Sequence, residues 1–147
     1  ILPEYLRNAA TDAGAVVDFR DWQIPLGRRF RALKLWTVLR TYGISGLRAH
    51  IEAGVAQAGR FADLVRADDR FEIVTEPVLG LVVFRVVGDD DRTMALMEAV
   101  NASGTAYLSH TKVEGRTALR LATGSWRTTD ADIDRTWEAL VGNLPAT

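Results

Sequence analysis

Side chains able to do chemistry are few in this sequence, and they do not cluster. Tyr5 lies in the opening stretch, residues 1–23. Its phenol is protonated near neutral pH and can serve as a general acid, although an aromatic ring pinning a loop would look the same. Arg28, Arg29 and Arg31 crowd what reads as the first turn of a helix. Cations are unfavourable at that end of the helix dipole, so an anion or acidic partner is implied; the alternative is an interface helix with solvated arginines. His50 and His110 are far apart and lack metal-ligand spacing, and with no cysteine there is neither a disulfide framework nor thiolate chemistry. No metal site is expected.

The elements that must position these groups follow from periodicity. Pro25 biases Ile24 to extended backbone, and a helix then runs over 26–42 with Phe30, Leu33 and Trp36 on one face. Gly43 closes it. A longer amphipathic helix to about residue 67 carries Leu47, Ile51, Val55, Ala58, Phe61 or Ala62, and Val65 as its stripe, with His50 at its boundary. A half-buried strand is predicted over 71–75, broken by Glu76-Pro77, and a central strand over 79–87 buried on both faces. A turn at 88–91 should cap a helix over 92–103. Strands over 106–113 and 117–123 flank a hairpin turn, and Thr129 or Asp130 should cap a last helix over 131–141. The expected fold class is α+β, a three- or four-stranded mostly antiparallel sheet with helices packed on one side.

The run Asp18-Phe-Arg-Asp-Trp-Gln-Ile-Pro-Leu-Gly-Arg-Arg-Phe-Arg-Ala-Leu-Lys-Leu-Trp36 resembles the segment that follows the active-site lysine in the aromatic-L-amino-acid decarboxylase family. That family also holds the tyrosine, tryptophan and histidine decarboxylases. The resemblance continues through Tyr42-Gly-Ile-Ser-Gly-Leu47, Leu64-Val-Arg-Ala-Asp-Asp-Arg-Phe-Glu72, Leu79-Gly-Leu-Val-Val-Phe-Arg85 and Leu119-Arg-Leu121. It extends over essentially the whole chain and implies the C-terminal third of such an enzyme. The fold implied is the C-terminal small domain of fold-type I pyridoxal-phosphate enzymes, residues 68–147, preceded by a lid loop, 1–23, and bridging helices, 24–67.

The resemblance also implies roles. Leu2-Pro-Glu-Tyr-Leu-Arg7 is similar to the mobile-loop motif, which puts Tyr5 on the tyrosine held to protonate the substrate α-carbon once carbon dioxide has left. Gly27 stands where the histidine decarboxylase branch has serine, which argues for an aromatic substrate of the DOPA, tyrosine or tryptophan type. The corner Ile24-Pro-Leu-Gly27 implies that Leu26 and Gly27 lie near substrate and phosphate of a neighbouring subunit, and Arg20 matches an arginine at the loop base. Pyridoxal 5'-phosphate is the implied cofactor. Its Schiff-base lysine sits in an Asn-Pro-His-Lys context that neither Lys34 nor Lys112 has, so that lysine is expected outside this chain. The aldehyde synthases of this group are disfavoured, because they replace the loop tyrosine with phenylalanine. Residues 8–17 match the family only loosely, and no role is implied for His110.

Composition bounds the rest. At 147 residues, 48% hydrophobic, 25% charged and net charge −1, this is an ordinary globular domain with no electrostatic signature for nucleic acid or an anionic membrane. No apolar run approaches the roughly 18 residues of a membrane span. A cytoplasmic homodimer, docked to the N-terminal and large domain of its parent, is expected. The alternative is a non-catalytic α+β dimerisation or ligand-binding module, in which the 18–36 segment is only an interface helix.

Overall fold

The computed structural model describes residues 9–17, 22, 29–88 and 90–145. Two compact units divide the chain, Ile1–Thr41 and Tyr42–Thr147. In the first unit, α1 is a single turn, Ala9–Asp12. Helix α2, Ala32–Arg66, begins there and is interrupted at Gly43, whose φ of 66° and ψ of 174° are not helical. Only a residue without a β-carbon takes that conformation freely, so the expected stop falls on the right residue. The start differs from expectation. Helical structure begins at Ala32, so Arg29 and Arg31 precede the first turn, and Arg28 lies outside the described residues.

The second unit holds the sheet. Strands β1 (Phe71–Val78), β2 (Leu81–Val86), β3 (Ser109–Val113) and β4 (Arg116–Ala122) are ordered β1-β2-β4-β3, with every neighbouring pair antiparallel. Helix α3, Asp90–Ser103, carries the chain from β2 to β3, which runs parallel to β2 with β4 between them. Helix α4, Asp130–Gly142, follows β4.

One face of the sheet makes the core. Val82, Phe84 and Val86 of β2 and Leu119 and Leu121 of β4 meet Phe61 and Val65 of α2, Leu96 and Val100 of α3, and Ile133 and Leu140 of α4. All three helices therefore lie on one side. Phe61 sets its ring edge-on to Phe84 at 5.2 Å, and Trp137 closes the same aromatic cluster against Phe71 at 5.3 Å. Val82, Val83 and Phe84 are buried in succession, but Val83 lies outside the core cluster, and β2 is shorter than the 79–87 expected because Leu79 and Gly80 turn the hairpin and Val87 is exposed.

Glu76-Pro77 does not end β1 as expected. The strand runs to Val78, with register shifts between Ile73 and Thr75 and between Thr75 and Val78. Proline is tolerated because β1 is an edge strand, and the irregularities absorb it. β3 begins later than expected, at Ser109, because Asn101 of α3 holds Leu108 at both its N–H (2.7 Å) and its carbonyl (2.9 Å). Thr129 caps α4 through a reciprocal box with Asp132.

Candidate functional site

Tyr5, Arg20, Leu26 and Gly27, the four residues on which the resemblance places the site, lie outside the described residues. What the structure provides is the frame around them. Downstream of the predicted corner, Phe30 and Trp36 are exposed at 74% and 59%, and Leu33 is exposed as well. The face predicted for this helix is thus not buried by any of the described residues. Arg40 places its guanidinium 5.9 Å over the Trp36 ring, which uses up one cation in a local contact.

In the second unit the structure gathers a charged set that residue spacing did not reveal. Arg85 of β2 bonds Glu72 of β1 at 2.5 Å, and Arg116 of β4 lies 3.8 Å from the same carboxylate and 3.6 Å from Asp90. Asp90 accepts a 2.7 Å bond from the Thr117 N–H. That bond, with help from the Arg116 and Arg85 guanidiniums, holds its carboxyl below the usual aspartate range. Opposite signs at 72 and 85 were the available clue, and the register shifts in β1 hid the pairing. The set pairs its own charges, so its chemistry is cross-strand fastening, not proton transfer. Arg60 and Asp134 do the same between α2 and α4, with a two-pronged contact at 2.8–3.0 Å.

A second fastening lies at the end of the sheet. The Thr123 hydroxyl donates to the Gly54 carbonyl at 2.7 Å, and the Thr123 N–H donates to the Gly80 carbonyl at 2.8 Å. A β-carbon on Gly80 would stand 2.9 Å from Thr123 Oγ1, so glycine is needed for this close approach. Among the described residues no group of histidine and carboxylate side chains is arranged to hold a metal, and no helix is long and apolar enough to cross a membrane.

Comparison with known families decides what this frame belongs to. The model of the pyridoxal-dependent decarboxylase conserved domain matches residues 1–87, more than half of the chain. The chain belongs to the pyridoxal-dependent decarboxylase family. Tryptophan decarboxylase 2 of Oryza sativa subsp. japonica is 46% identical in an alignment of 145 positions that covers 94% of this chain and 29% of that protein. Phenylacetaldehyde synthase of Arabidopsis thaliana is 44% identical, over 94% of this chain and 30% of its own length. The crystal structure of Oryza sativa TDC with PLP and tryptamine superposes with a TM-score of 0.86 at 43% identity, over 98% of this chain and 32% of that one. The chain thus spans about 30% of the length of the relatives it matches.

The cofactor of this family does not find its holding residues in the described part. Lys34 on α2 and Lys112 on the edge strand β3 are both exposed side chains, not amines enclosed beside a phosphate cradle. No step through pyridoxal phosphate is therefore assigned to this chain's described residues.

Proposed function

We propose that this chain is the C-terminal portion of a pyridoxal-phosphate-dependent decarboxylase that converts an aromatic L-amino acid to its amine and carbon dioxide. The observation that carries this reading is the family match over residues 1–87 together with 46% identity to a tryptophan decarboxylase. The cofactor supplies the electron sink for charge left at the α-carbon, and it is held by the part of the parent that lies beyond this chain.

The contribution of this chain is proton delivery and enclosure. Tyr5 keeps its proton at neutral pH, so a lid that carries it over the substrate delivers one proton to the α-carbon while excluding water and oxygen. Leu26 and Gly27 line the substrate, with glycine leaving room for a flat ring, and Arg20 anchors the base of the lid. Tyr5 also separates this chain from aldehyde-forming relatives such as the phenylacetaldehyde synthase, given that the synthase branch carries phenylalanine at the loop position. A homodimer in which each subunit completes the other's site is part of this proposal, and the exposed Phe30, Leu33 and Trp36 are where its contact would be sought.

The test is product analysis of the purified parent enzyme with tryptophan, tyrosine and DOPA. Stoichiometric amine and carbon dioxide from at least one of them is expected. A parent that releases no carbon dioxide from any aromatic amino acid contradicts the reading and favours a non-catalytic module.

A further inference from the structure

We draw no further inference here: the strongest candidate, the face of the sheet opposite the three helices, where Arg120 of β4 lies between Val83 of β2 and Ser109 of β3, carries none because nothing in the structure shows what covers it.

Discussion

The Thr123 hydroxyl donates to the Gly54 carbonyl at 2.7 Å, in a place where helix α2, the β1–β2 turn and the end of β4 converge. A glycine in mid-helix ordinarily weakens it, but here a β-carbon on Gly54 would come within 3.2 Å of the Thr123 carbonyl. The glycine admits the strand end, and the threonine adds a second bond to a carbonyl that the helix already engages. Thr123→Val keeps the shape and removes that added bond, so it should cost about 0.5–1.5 kcal/mol. Thr123→Ser should recover most of the loss in urea unfolding of the 147-residue chain.

Core and overhang of α2 should respond very differently to truncation. Phe61 is wholly buried among Phe84, Trp137 and the helices, and Phe61→Ala should destabilise by roughly 3–5 kcal/mol. Ile51→Ala, on the same stripe but exposed, should change stability by less than about 0.5 kcal/mol in the 147-residue chain. Comparable losses at both positions, measured by denaturant midpoint, would show that the overhang is packed in the chain alone.

Acid should loosen the second unit through its carboxylates. Asp90 is held below the ordinary range by the Thr117 N–H, and Asp132 by the Thr129 hydroxyl and N–H of the capping box. A carboxyl whose folded pKa is depressed stabilises the fold above its unfolded pKa, near 3.9, and that contribution disappears as pH falls through the folded value. The urea midpoint should therefore be flat from neutral pH down to about 5 and fall below about 4. Asp90→Asn should be less stable at neutral pH and show a shallower acid decline than wild type.

Lys34 and Lys112 should not take up pyridoxal phosphate site-specifically, because both are exposed and unenclosed. Incubation of the 147-residue chain with the cofactor, borohydride reduction and peptide mapping should give only scattered, substoichiometric labelling. Stoichiometric labelling of either lysine would show that the chain holds the cofactor itself.

Much of this fold was legible in residue order, and the misses have physical causes. Gly43 stops its helix and Thr129 caps α4, because each is decided by local backbone, whereas the central strand expected over 79–87 shrinks to Leu81–Val86 where Leu79 and Gly80 turn the hairpin. Pro77 misled because its effect depends on whether a strand lies at an edge, which local sequence does not reveal. The stripe from Leu47 to Val65 was periodic throughout, yet periodicity cannot say where the sheet beneath it ends. The charged set of Glu72, Arg85, Asp90 and Arg116 stayed hidden for the same reason: it forms across strands whose register is irregular. Tyr5, Arg20, Leu26 and Gly27 became candidates through family likeness, since neither spacing nor periodicity distinguishes them from loop residues.

Replacing Tyr5 with phenylalanine in the full-length parent tests the central claim most directly. The substitution keeps an aromatic ring of similar size but removes the phenolic proton that the proposed mechanism has Tyr5 deliver to the α-carbon. Amine formation should fall by roughly 10²-fold or more while substrate affinity changes little. In oxygenated buffer the diverted carbon should emerge as aldehyde and ammonia, with oxygen consumed as the oxidant. Equal rates of amine formation by the variant and the parent enzyme, with no aldehyde, would contradict the assignment and leave Tyr5 as a loop anchor.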